Sequence, residues 1–188
     1  MNSSPSPAVP VLNIANVLTV VRILLVPFFI WFLLLDDGRA GLFRWLAVAT
    51  FAVAIYTDKL DGDLARSRGL ITDFGKIADP IADKALMIAA LVTLNIAGPL
   101  PVWVTVVIVA RELGITVWRM LMLRHGKVVP ASKGGKLKTA LQSLAVGMYL
   151  CPLPAWMGTP TFVVMLVAVA VTVVTGMQYL IDAGKVNK

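Results

Sequence analysis

Charge, cysteine and histidine are scarce in this chain. Only 14% of its 188 residues are charged, where a soluble domain carries about a quarter. With a single cysteine, Cys151, no internal disulfide can form, and with a single histidine, His125, no Cys/His zinc cluster can be built. Any metal site must therefore use oxygen ligands. No Lys or Arg precedes Arg22, a poor fit to a secretory signal with its charged n-region. Residues 1–13 read as a short disordered lead. Repeats of the soluble type and low-complexity tracts are also missing.

Apolar residues fill the space that charge leaves. They make up 59% of the sequence, and mean hydropathy is +0.85. That composition implies an integral membrane protein. A span needs about 20 mostly apolar residues, so the length allows about six spans with short loops and leaves no room for a separate soluble domain. The expected fold is all-α: one membrane domain over 14–188, built from six transmembrane helices. The spans are expected at about 16–35, 42–61 (running on as helix toward Arg66), 73–97, 101–123, 135–152 and 160–182. Gly and Pro punctuate most of the boundaries.

The loops sort by charge. Arg119, Arg124, Lys127, Lys133, Lys136 and Lys138 cluster around the fourth connection, and Arg66, Arg68 and Lys76 around the second. The third and fifth loops carry none. By the positive-inside rule, both termini and the even-numbered loops face the cytoplasm, in a multi-pass protein of the inner or plasma membrane. The net charge of +7 is then mostly a belt against anionic headgroups, and nucleic acid is not an expected partner.

Against that background, six of the ten acidic residues fall in one short window: Asp58, Asp61, Asp63, Asp73, Asp79 and Asp83. Asp58 and Asp61 are spaced i, i+3, and Asp79 and Asp83 i, i+4, so each pair shares a helix face. The two helices are joined by a short loop and can bring both pairs to one point at the inner boundary. Four carboxylates beside lipid repel one another and are costly to desolvate. Divalent cations between them remove both problems, and an all-carboxylate set favours a hard ion such as Mg²⁺, Mn²⁺ or Ca²⁺. Gly62, Ala65 and Gly75 are small enough to let a bulky ligand approach the backbone, and Arg66 is placed to pair with a phosphate. Two aspartate-held cations suit phosphoryl transfer. Asp63 and Asp73 read as solvated bystanders.

Asp58, Asp61, Gly62, Ala65, Arg66, Gly75, Asp79 and Asp83 fit D-x2-D-G-x2-A-R-x8-G-x3-D-x3-D without a gap. This resembles the signature of the CDP-alcohol phosphotransferases, which join a CDP-linked donor to an alcohol and release CMP. The resemblance implies six transmembrane helices, two divalent cations (Mg²⁺ or Mn²⁺) on the four aspartates, and Asp83 as general base. It also implies nucleotide or donor contacts from Asp61, Gly62, Ala65, Arg66, Thr72 and Gly75, and a homodimer.

The acceptor is read from other polar groups. Arg111 and Arg119 lie two turns apart on the fourth helix, and Lys136 and Lys138 open the fifth. Together they suit an anionic, phosphorylated alcohol. The plainer reading pairs Arg111 with Glu112 or an aspartate. The segments NVLTVVRILLVPFF, ARELGITVWR and SKGGKLKTALQ resemble the bacterial branch of the family whose donor is CDP-diacylglycerol and whose acceptor is sn-glycerol 3-phosphate. Another acceptor, inositol phosphate or serine, is the alternative. A cation transporter would more often hold its acids at the bilayer midplane, with repeats or broken helices. Asn16, Thr19 and Arg22 read as capping and snorkelling residues, or alternatively as nucleotide or headgroup contacts.

Overall fold

The structure, a computed structural model, describes residues 13–38, 40–67, 72–124 and 134–186. The expected lead over 1–13, apart from Asn13, and the basic residues 125–133 lie outside these. Six α-helices follow one another: α1 Ile14–Leu35, α2 Leu42–Ser67, α3 Asp73–Ile96, α4 Val102–Arg124, α5 Gly134–Leu150 and α6 Gly158–Val186. Among the described residues there is no strand. The boundaries fall within a few residues of those expected from the apolar runs. The sharpest difference is at CPLPAWMGTP, expected as a turn. There Ala155–Met157 forms a 3-10 turn that leads directly into α6 at Gly158.

Local chemistry sets the ends. Asn13 caps α1 by accepting from the Asn16 amide at 3.0 Å, and Thr72 caps α3 by accepting from Gly75 N at 3.0 Å. Both supply an acceptor to otherwise orphaned N–H groups. Gly98 closes α3 with φ +94, a left-handed conformation that glycine adopts without strain. Its amide donates back to Leu94 O at 3.1 Å.

Helix α1 packs chiefly on α2 and α3, α5 on α6, and α4 on α6; contacts of α3 with α4 and of α2 and α3 with α5 join the halves. The core runs through all six helices. Phe29 and Leu33 meet Phe51, Leu91 and Leu94, and beyond them Val104, Ile108, Val146, Leu150 and Met165. The Phe29 and Phe51 rings lie 5.8 Å apart, a spacing favourable for aromatic pairs. Some polar side chains inside are satisfied locally. Gln142 donates to Thr172 Oγ1 at 2.8 Å, and Thr172 donates to Ala168 O.

The outward faces are apolar too: Leu24, Val53, Val106, Leu144 and Val174 are all exposed. A soluble helix would turn a polar face outward. Two helical segments, Ile14–Leu35 and Ala155–Ile181, are long and apolar enough to cross a membrane. Among the described residues, apart from the Asp36–Arg44 ion pair at the turn between α1 and α2, the charged side chains of the helices gather toward one end of the molecule. That end is formed by the start of α1, the end of α2, the start of α3, the second half of α4, the start of α5 and the end of α6.

Candidate active site

The site grows from three residues of α1. Asn16, Thr19 and Arg22 are all buried, Arg22 completely. The Arg22 guanidinium donates through Nη1 to Asp58 Oδ1 at 2.5 Å and through Nη2 to Asp61 Oδ2. Thr19 donates to Asp79 Oδ1 at 2.5 Å, and Asp61 Oδ2 stands 3.5 Å from the same hydroxyl. The Asn16 amide donates to Thr72 Oγ1 at 2.8 Å. Helix α1 therefore links both halves of the aspartate motif. The snorkelling expected of Arg22 is corrected here: its head is turned inward to two carboxylates, because a buried cation needs a partner more than it needs the interface.

Asp58, Asp61 and Asp79 are thus brought together through Arg22 and Thr19. Asp61 is buried, while Asp58 is about half exposed. Asp83, one turn beyond Asp79, is exposed and within electrostatic range of Asp58, Arg22, Lys84 and Lys138. The donor chemistry of the four aspartates, all carboxylate oxygen, fits hard divalent cations. As the side chains stand, no three acidic, His or Cys groups among the described residues form a ready metal cage, and Arg22 bridges two of the acids instead.

Of the expected nucleotide contacts, Gly62 is half-buried beside Asp61, and Ala65 and Arg66 fall on the last turns of α2, their side chains lying outside the described residues. Thr72 and Gly75 are buried. A Cβ at Gly75 would come 2.9 Å from Asn16 Oδ1 and 3.3 Å from Thr72 Oγ1. The clearance left by this glycine is therefore taken up by the α1–α3 contact, where the sequence suggested an approaching ligand. Asp63 is exposed, and the side chain of Asp73 lies outside the described residues.

Beside the aspartates, a cavity of about 390 Å³ is lined by Lys84, Arg111, Glu112, Arg119, Lys138 and Tyr179, among others. This lies in the range of small-molecule sites. Arg111 Nη1 donates to Glu112 Oε1 at 3.0 Å, and Lys138 donates to the same oxygen. The plainer reading of Arg111, a pair with Glu112, is thus present, and the pair still borders the cavity. Lys138 is buried, whereas Lys136 is exposed and absent from the lining. A smaller pocket is lined by Asp83 and by Lys84, Glu112, Lys138 and Thr139, which also line the cavity. Asp83 and the cationic side chains therefore share a wall.

Sequence reasoning missed Lys84, which stands beside Asp83 on α3. It also missed the active part of Arg22, whose signal was the polar spacing Asn16, Thr19, Arg22 in an apolar helix. Thr175, Gly176 and Tyr179 of α6 gave no signal beyond hydrophobic character.

Residues 12–174 match the sequence model of a family described as CDP-alcohol phosphatidyltransferase. A probable phosphatidylglycerophosphate synthase of Mycobacterium tuberculosis is 47% identical over 171 residues, covering 91% of this chain and 81% of that one. A CDP-diacylglycerol--glycerol-3-phosphate 3-phosphatidyltransferase of Bacillus subtilis is 36% identical over 179 residues, covering 89% and 93%. A CMP-forming cardiolipin synthase of Streptomyces coelicolor is 35% identical over 120 residues, covering 64% and 56%.

Proposed function

We propose that this chain, which belongs to the CDP-alcohol phosphatidyltransferase family, moves the phosphatidyl group of CDP-diacylglycerol onto sn-glycerol 3-phosphate. The products are phosphatidylglycerophosphate and CMP. The observation that carries the reading is the shared wall: Asp83 opens onto the same residues, Lys84, Glu112 and Lys138, that line the cationic cavity. A phosphate held by Arg111, Arg119 and Lys138 there places the acceptor's free hydroxyl toward Asp83. Lysine and arginine around one cavity favour a dianion over a neutral alcohol such as serine. The glycerol-3-phosphate transferase names among the relatives point the same way.

Asp83 is the general base. It takes the proton from the 1-hydroxyl of glycerol 3-phosphate, and the oxygen attacks the β-phosphorus, which bears the diacylglycerol. The bond from that phosphorus to CMP breaks, and CMP leaves. Asp58, Asp61, Asp79 and Asp83 would hold two divalent cations, Mg²⁺ or Mn²⁺. When bound, these supply charge neutralisation for the donor diphosphate and for departing CMP. Gly62, Ala65, Arg66, Thr72 and Gly75 form the donor side, with Gly75 acting through the α1–α3 contact. Lys136, directed away, contributes to the basic surface only.

The exposed apolar faces support a six-span membrane bundle, and the basic even-numbered loops support cytoplasmic termini with the site at the inner boundary, where donor tails stay in lipid. The assembly implied by family membership is a homodimer, measurable by cross-linking in native membranes. The deciding assay supplies purified protein with CDP-diacylglycerol and Mg²⁺ or Mn²⁺, and offers glycerol 3-phosphate, inositol phosphate, serine and phosphatidylglycerol in turn. CMP release with glycerol 3-phosphate is the expected result; release only with another acceptor overturns the reading. The Asp83→Asn variant is expected to fold normally and to lose CMP release, whereas near-normal turnover would remove Asp83 as the base.

A further inference from the structure

We propose that α6 forms a working wall of the acceptor cavity, and that Tyr179 on it is a specificity-determining residue that donates a hydrogen bond to the acceptor's phosphate. This rests on the functional reading above. Tyr179 is only 4% exposed. Its hydroxyl has no hydrogen-bond partner among the described residues, and the residue lines the cavity that holds Arg111 and Arg119. A buried hydroxyl left unpaired is unfavourable, and here it stands in a cavity whose cations call for an anion. A phosphate oxygen satisfies the hydroxyl and the cations together.

The same helix sets the position of Arg111. Thr175 Oγ1 accepts from Arg111 Nη2 at 3.3 Å. At Gly176, a Cβ would fall 3.1 Å from Arg111 Cγ and 3.2 Å from its Nε. Glycine at this point lets the arginine lie along α6, with its Nε buried and unpaired among the described residues. Thr175, Gly176 and Tyr179 fall within little more than one turn, so one helix face orients the arginine and adds the hydroxyl.

The test is Tyr179→Phe, which keeps the ring and its packing and removes only the donor. Binding of glycerol 3-phosphate to detergent-purified full-length protein is measured by calorimetry, alongside kcat and both KM values from CMP release. The expected result is acceptor binding and acceptor KM about ten-fold weaker, with the KM for CDP-diacylglycerol and the melting temperature unchanged. Gly176→Ala, which presses on Arg111, is expected to weaken the acceptor KM as well. Acceptor affinity within two-fold of wild type in Tyr179→Phe, or no acceptor binding by wild type, overturns the proposal. The functional reading is judged separately by wild-type CMP release. A wild type that binds glycerol 3-phosphate without releasing CMP defeats that reading, while the binding ratio still decides the role of Tyr179.

Discussion

Among the described residues Arg22 is the largest side chain sealed completely inside the molecule, and it sits between two carboxylates. Removing one member of a buried ion pair strands the other, typically at a cost of about 3–5 kcal/mol. Arg22→Met is therefore expected to lower the melting temperature in detergent markedly. Millimolar Mn²⁺ is expected to recover part of that loss, since a cation can take over the neutralisation of Asp58 and Asp61. Thermal unfolding with and without Mn²⁺ checks this, and a wild-type melting curve for the variant would contradict it. The aspartates themselves were legible from spacing alone, because i, i+3 and i, i+4 fix a common face whatever the neighbours do. Lys136 shows the limit of such reading. It lies two residues from Lys138, and positions two apart on a helix point to different sides, so only Lys138 turns inward.

At the scale of elements, glycine decides how closely the second-half helices approach. A Cβ at Gly134 would come 2.7 Å from Thr175 Cγ2, so the start of α5 rests directly on α6. Gly134→Ala is expected to destabilise by about 1–3 kcal/mol, the cost of overpacking a fitted contact. Its neighbour Gly135 has nothing within 4 Å of the equivalent position, so Gly135→Ala is expected to leave the melting temperature nearly unchanged. Chemical or thermal denaturation of the pair distinguishes a local clash from a general effect of adding a methyl group. The helices themselves were readable because apolar runs of span length, broken by Gly and Pro, leave few alternatives. What each helix touches was not. Thr19, Thr175 and Tyr179 in apolar surroundings have an ordinary explanation as packing residues, and only the juxtaposition of α1 with α3, and of α4 with α6, gives them a task.

Across the whole molecule, polarity is distributed by end. The four motif aspartates and the cavity cations lie at one end. Trp31, Trp45, Trp103 and Trp156, all exposed, lie near the opposite end, at the close of α1, the starts of α2 and α4, and the turn before α6. Aromatic residues at that level suit a membrane interface. Cys151, half-buried in the same turn and the sole cysteine, is a natural reporter. A membrane-impermeant maleimide is expected to label it in sealed right-side-out vesicles and to leave it unlabelled in sealed inverted ones. Labelling confined to the cytoplasmic face would reverse the orientation. Between the two ends lies an apolar core, from Phe29 and Leu33 through Leu91 and Leu94 to Val146 and Met165. On the proposed function, a lipid-linked donor taken up at the polar end leaves its product first in the leaflet the donor came from.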